Sequence, residues 1–157
     1  MQITIYTDGA CDIHAENRPG GWAAILRAAD ERGNVLEKTV ISGGQEMTTN
    51  NQMELTAVIE GLKQLQRPSD ITIVTDSQYV IDIAKGTKRA AKNRALWREY
   101  FEVAKIHDVT WKYIAGHSGN AYNEHCDKLA VAERRKYALY RSKKRTRPAS
   151  RQAVDKR

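Results

Sequence analysis

The chain has 157 residues, with 26 Lys and Arg against 19 Asp and Glu, for a net charge of +7. That length suits one domain with a sizeable core plus a short extension. No run of about 18 apolar residues occurs, which excludes a membrane-spanning helix, and two cysteines, Cys11 and Cys126, are too few for a Cys-only zinc site or a disulfide framework.

Taken in chain order, residues 2–8 read as a β-branched strand, followed by a loop rich in turn residues from Asp12 to Gly21. The start, Met1-Gln2-Ile3-Thr4-Ile5, lacks the basic region and long apolar stretch of a secretory signal, so a reducing, cytoplasmic location is expected. Residues 22–26 and Val35 to Ser42 read as the second and third strands, joined through Asp30 to Asn34 as a hairpin. Connections this short permit only an antiparallel meander. Residues 51–66 carry Leu55, Val58, Ile59, Leu62 and Leu65 at helical spacing, with Asn51 and Glu54 set for a capping box and Pro68 as the stop.

Residues 71–76 then read as a fourth strand, able to join the sheet by a parallel crossover. Ser77 to Ala84 reads as a short helix, and Asn93 to Ile106 as a longer one with Leu96, Trp97, Tyr100, Phe101 and Ala104 on its apolar side. The polar connection between them is basic. Residues 109–114 alternate like a fifth strand, 116–120 form a loop, and a final helix runs from Ala121 to about Tyr140. The order βββ-α-β-α-α-β-α predicts an α/β fold with a five-stranded mixed sheet flanked by helices.

Charge is unevenly placed. Residues 134–157 hold 11 of the basic residues and one acid, a segment of +10, whereas residues 1–133 sum to −3. The division expected is a catalytic domain over 1–136 and a basic, flexible tail over 137–157, with affinity for polyanions.

Two segments are nearly the same: Ile3-Thr4-Ile5-Tyr6-Thr7-Asp8 and Ile71-Thr72-Ile73-Val74-Thr75-Asp76. Side by side and parallel, they would place both aspartates at the carboxyl edge of the sheet, where open α/β folds bind ligands. Each Asp alone is also the residue type that caps a following turn or helix. Two together repel unless a proton or a divalent cation lies between them. Glu54 and Asp127 are the other acidic candidates, although taken singly Glu54 reads first as a helix-cap residue and Asp127 as a solvated one. Oxygen ligands without a Cys or His set select a hard cation, Mg²⁺ or Mn²⁺. Several carboxylates with open coordination positions also suit two-metal phosphoryl transfer.

Four local motifs follow in order: Thr7-Asp8-Gly9-Ala10-Cys11; Thr49-Asn50-Asn51-Gln52-Met53-Glu54-Leu55; Thr75-Asp76-Ser77-Gln78-Tyr79-Val80; and Gly116-His117-Ser118-Gly119-Asn120-Ala121-Tyr122-Asn123-Glu124-His125-Cys126-Asp127. Together, over residues 1 to about 134, they closely resemble the type 1 ribonuclease H family. The resemblance implies a ribonuclease H-like fold and an endonuclease that cuts the RNA strand of RNA–DNA hybrids, leaving 3′-hydroxyl and 5′-phosphate ends. It implies a monomer using two Mg²⁺ ions, or Mn²⁺, held by Asp8, Glu54, Asp76 and Asp127. By the same resemblance His117 assists proton transfer or product release, and Gly9, Cys11, Asn17, Thr49, Asn50, Asn51 and Gln78 bind substrate.

The chain departs from the family pattern in three places. The loop after Asp8 carries extra residues, Asp12 to Glu16, which leaves the match of Asn17 open. The connection from Lys85 to Arg94 is short and lacks the tryptophans of the long basic protrusion found in many bacterial members, yet it keeps Lys85, Lys88, Arg89, Lys92 and Arg94. The tail has no counterpart in the minimal domain; Arg141, Lys143, Lys144 and Arg145 are its expected contacts to nucleic acid. Two other readings stay open: a related nuclease that prefers duplex RNA, and a non-catalytic nucleic-acid-binding module acting through the tail.

Overall fold

The computed structural model describes the backbone of residues 2–155 and the side chains of residues 2–138. The chain runs through β1 (Gln2–Cys11), β2 (Gly20–Ala29), β3 (Val35–Gln45), α1 (Asn50–Lys63), β4 (Asp70–Thr75), α2 (Gln78–Ala84), α3 (Arg94–Ala104), β5 (Asp108–Tyr113) and α4 (Ala121–Asp155). The strands form one sheet in the order β3-β2-β1-β4-β5. β1, β2 and β3 pair antiparallel, whereas β1–β4 and β4–β5 pair parallel. The five-stranded mixed sheet and the element order expected from the sequence are both present.

Side chains on a strand alternate between faces, and each face of this sheet meets different helices. Ile5, Ala24, Leu26, Ile71 and Ile73 pack with Leu55, Val58, Ile59 and Leu62 of α1 and with Trp97 and Tyr100 of α3. Tyr6, Ala23, Ile25 and Val74 face the other way and pack with Cys126 and Ala130 of α4. β1 is therefore covered on both sides. Its continuous run of β-branched residues reflects that double burial.

Several boundaries differ from the sequence expectation; β2, for one, spans Gly20–Ala29 rather than 22–26. β1 does not stop at Asp8; Gly9, Ala10 and Cys11 continue it by pairing with Trp22, Gly21 and Gly20. The glycine that signals a turn in the sequence is instead a strand residue held by its partner. α1 is capped by Thr49, whose hydroxyl accepts from the Gln52 N–H at 3.1 Å, rather than by Asn51. Thr49 has extended backbone while Asn51 is already helical. Glu54 is thus not engaged in a capping box. Finally, α4 extends to Asp155, past the end expected near Tyr140.

Leu62 shows how much the α1 face contributes to stability. It is 1% exposed in the middle of the larger core. Leu62→Ala is expected to cost about 2–5 kcal/mol, the range for a buried leucine truncated to leave a cavity. Leu65, only partly buried at the end of α1, should cost less. Urea unfolding of both variants checks the difference.

Candidate active site

The parallel register of β1 on β4 pairs Ile3 with Ile71 through to Tyr6 with Val74. Two residues beyond, Asp8 and Asp76 stand at the same carboxyl edge. Glu54 reaches them from the first turns of α1, and carboxylate oxygens of Asp8, Glu54 and Asp76 all lie within 4.8 Å of one another. Glycine makes that approach feasible. A Cβ at residue 9 would sit 2.5 Å from the Glu54 backbone nitrogen, so any side chain there would push α1 off the strand.

The cluster carries more negative charge than its surroundings neutralise. Asp8 is 4% exposed and Glu54 9%. Burial, followed by the neighbouring Asp76 charge, raises the Asp8 pKa to about 7. Burial, and then the charges of Asp8 and Asp76, hold Glu54 well above the ordinary carboxylate range. The Glu54 Oε1 is buried without a hydrogen-bond partner. None of the five ion pairs among the described residues involves these three groups. A buried acceptor left unpaired beside two like charges fits a divalent cation, which supplies both the missing partner and the missing charge. All the donors are oxygens, so the ion that suits them is hard.

The other expected site residues occupy different positions around this cluster. Asp127, in the second turn of α4, lies outside the group of three, although its charge acts on Asp8 in the same direction as Asp76. His117 is exposed on the loop after β5, with a left-handed backbone at φ 58°. That loop touches the cluster through its backbone: a Cβ on Gly116 would meet Asp76 Oδ2 at 3.0 Å. Thr49 caps α1, and Asn50 and Asn51 are exposed in its first turn. Gln78 is exposed at the start of α2, where its amide donates to Asp82 at 2.9 Å.

The long loop after β1 folds back against the segment before α1. Met47 and Thr48 donate their N–H groups to the carbonyls of Asn17 and Arg18, and the Cys11 thiol lies 3.3 Å from the Thr48 carbonyl. Asn17 is 8% exposed, and its amide nitrogen is 3.2 Å from Glu46 Oε1 and 3.5 Å from the Tyr137 carbonyl. Its donor group therefore ties the loop to the β3–α1 segment and to α4. Arg141, Lys143, Lys144 and Arg145 lie outside the residues whose side chains are described.

Sequence reasoning missed a polar chain that joins three helices. Gln52 donates to Asn93 at 3.0 Å, Asn93 donates to the Tyr79 hydroxyl at 3.1 Å, and the Trp97 indole donates to the same hydroxyl at 3.0 Å. Beside it lies a cleft of about 420 Å³ whose lining includes Asn51, Gln78, Lys88, Arg89, Lys92 and Asn93. The basic connection between α2 and α3 is thereby brought next to Asn51 and Gln78. The sequence showed its charge but not its neighbours, since the crossover that brings them together is a tertiary feature.

The raised carboxyls set a sign for the pH dependence of the metal-free protein. In the folded state Asp8 titrates near 7 instead of 3.8, so between those values the folded chain holds a proton that the unfolded chain has lost. Stability then falls as pH rises through that window. Glu54 shifts in the same direction. Metal-free protein is expected to melt lower at pH 8 than at pH 5, with added Mg²⁺ restoring the melting temperature at pH 8 far more than at pH 5. Thermal unfolding at both pH values, with and without the ion, tests this; an equal metal effect at the two would contradict it.

Residues 1–135 match the RNase H family. A ribonuclease H of Ruegeria sp. (strain TM1040) is 44% identical, covering 81% of this chain and 87% of its own. One from Thermoanaerobacter sp. (strain X514) is 42% identical, covering 83% of this chain and 88% of its own. Among solved structures, LC9-RNase H1, a type 1 RNase H with the type 2 active-site motif, superposes with a TM-score of 0.71 at 28% identity, over 83% of this chain and 71% of that one. LC11-RNase H1, solved in complex with an RNA/DNA hybrid, gives 0.69 at 23% identity, over 88% and 99%; at that identity it supports the fold. With a family match over most of its length and relatives above 40% identity, the chain belongs to the ribonuclease H family.

Proposed function

We propose that the protein is a divalent-metal-dependent endonuclease that hydrolyses the RNA strand of RNA–DNA hybrids, leaving 3′-hydroxyl and 5′-phosphate ends. The observation that carries this reading is the trio Asp8, Glu54 and Asp76, converging within 4.8 Å with a buried Glu54 oxygen left unpartnered. In this reading the protein works as a cytoplasmic monomer. LC11-RNase H1, which shares the fold, was solved with an RNA/DNA hybrid, and that substrate class is carried over here as part of the proposal.

Asp8, Glu54, Asp76 and Asp127 would hold two Mg²⁺ ions, or Mn²⁺. Bound there, the ions would supply an activated water and charge stabilisation for the departing oxygen. His117, exposed on the loop beside Asp76, takes the proton-transfer role at its imidazole. Asn50, Asn51 and Gln78, exposed at the starts of α1 and α2, and Thr49, which caps α1, are assigned to the backbone and minor groove of the hybrid. Amide contacts to the minor groove and to the 2′-hydroxyl distinguish RNA from DNA. Gly9 and Cys11, beyond Asp8 on β1, are assigned to substrate contact as well, and so is Asn17, whose amide also ties the loop after β1 in place. A pure binding module would gain nothing from three carboxylates crowded together with Asp8 and Glu54 buried, an arrangement that charge repulsion disfavours.

Asp76→Asn and Asp8→Asn keep the side-chain size but remove the charge. Each is expected to fold and to lose most hybrid cleavage in Mg²⁺. His117→Ala should slow turnover by ~10²–10⁴-fold, the usual contribution of a general acid or base, with little change in hybrid binding. Labelled RNA–DNA hybrid, duplex RNA and single-stranded RNA, each with Mg²⁺, Mn²⁺ or EDTA, provide the assay. Near wild-type cleavage by either aspartate variant would sink the metal assignment, and faster cleavage of duplex RNA would replace the substrate assignment.

The basic tail is assigned to long-range attraction of the hybrid. The body through residue 133 is −3 while residues 134–157 carry +10, and each phosphate neutralised steepens the log-affinity against log-salt slope by about 0.7–0.9. Truncation after Lys136 should raise the hybrid Kd most at low salt and leave saturated turnover nearly intact. Identical salt slopes for full-length and truncated protein would show that the tail does not engage the substrate.

A further inference from the structure

Asp127 is the acidic candidate carried by α4, outside the group of three, and its position relative to Asp8 depends on how α4 lies on the sheet. Two contacts with β1 fix the first turns of that helix. The Cys126 thiol donates to the Tyr6 carbonyl at 3.3 Å. At the helix start the ring of Tyr122 stacks on that of Tyr6, with centroids 4.8 Å apart and planes inclined by 16°. Further along, α4 is held by Ala130 against Gly21 and by the Ser42–Glu133 hydrogen bond. The Tyr122 contact, four residues before Cys126 and about 6 Å along the axis at 1.5 Å per residue, anchors the start of the helix, the end that carries Asp127.

The ring pair is backed by cations. The Arg27 guanidinium carbon lies 5.2 Å from the Tyr122 centroid and 6.0 Å from that of Tyr6, and Lys38 Nζ lies 5.8 Å from Tyr122. The Arg27 Nε is buried with no hydrogen-bond partner, and the guanidinium lies over ring faces that carry negative potential. Partly desolvated pairs of this kind are the stronger class of cation–π contact. Tyr6 stands two residues before Asp8 on the same strand face, and Tyr122 five residues before Asp127.

We propose that Tyr122, stacked on Tyr6 and backed by Arg27, is a positioning residue that sets where α4 holds Asp127 relative to Asp8, and thereby the affinity of the carboxylate cluster for a divalent ion. This rests on Asp127 being one of the metal ligands. Groups that orient metal ligands typically change affinity by 10–100-fold when removed.

The test is calorimetric titration of Mn²⁺ into the full-length chain and its variants. Tyr122→Leu keeps apolar bulk under the helix but removes the ring face; Tyr122→Phe keeps the ring. Expected is a loss of roughly 10-fold in affinity for Tyr122→Leu, near wild-type affinity for Tyr122→Phe, and a smaller loss in the same direction for Arg27→Met. In an Asp127→Asn background Tyr122→Leu should cause no further loss, because its effect is routed through that carboxylate. Hybrid cleavage by Tyr122→Leu should recover at saturating metal. Unchanged affinity in Tyr122→Leu, or a loss that persists in the Asp127→Asn background, would overturn the inference while leaving Asp127 as a ligand. Unchanged affinity in Asp127→Asn alone would remove Asp127 from the ligand set, and the inference with it.

Discussion

Mutual repulsion among Asp8, Glu54 and Asp76 is the constraint around which the fold is arranged. Ionised carboxylates within 4.8 Å of one another disfavour the compact state unless something opposes them, and here the opposition comes from packing. Ile5, Ile71 and Ile73 bury the parallel pair β1–β4 beneath α1 and α3, while Tyr6 and Val74 bury its other face beneath α4. The two strands cannot separate without exposing both cores. Asp8 responds by holding its proton to about pH 7 rather than by moving away. A rigid site that favours protonation when empty also favours a divalent ion when one is available.

Backbone contacts decide how near the remaining groups come. α1 can bring Glu54 up to Asp8 because residue 9 has no side chain, and the 116–120 loop can lie against Asp76 because residue 116 has none. The cap at Thr49 matters for the same reason. With the first N–H groups of α1 served by Thr49, Glu54 is spared the capping role and turns its carboxylate to the cluster. Local helix chemistry and site chemistry are thus divided between neighbouring residues.

The polar surroundings are organised on the opposite charge. The body is net negative, yet the cleft beside Asn51 and Gln78 collects Lys88, Arg89 and Lys92. The Gln52–Asn93–Tyr79–Trp97 chain of hydrogen bonds fixes the start of α3 against α1 and so holds that short basic connection in place. A polyanion lying across the carboxyl edge would meet both these cations and the carboxylate cluster. Its attraction to the body would depend on that local field rather than on net charge.

Much of this was legible in the sequence for a simple reason. The duplicated strand-plus-aspartate segments, the helical spacing of Leu55, Val58, Ile59 and Leu62, and the short links between the first strands are local patterns whose period reports burial directly. They determined the element order, the mixed sheet and the pairing of Asp8 with Asp76, whereas Glu54 and Asp127 were singled out together only through the resemblance to type 1 ribonuclease H. What depends on partners distant in the chain was decided only by the tertiary structure. Gly9 reads as a turn until its pairing with Trp22 is seen, and Asn51 reads as a cap until Thr49 is found in extended backbone. The hold of Asn17 on Glu46 and Tyr137 appears only in the folded chain, and neither Tyr6 nor Tyr122 hints at the other across more than a hundred residues. Sequence specifies which groups exist and which way each element faces; distance, burial and charge compensation are properties of the packed chain.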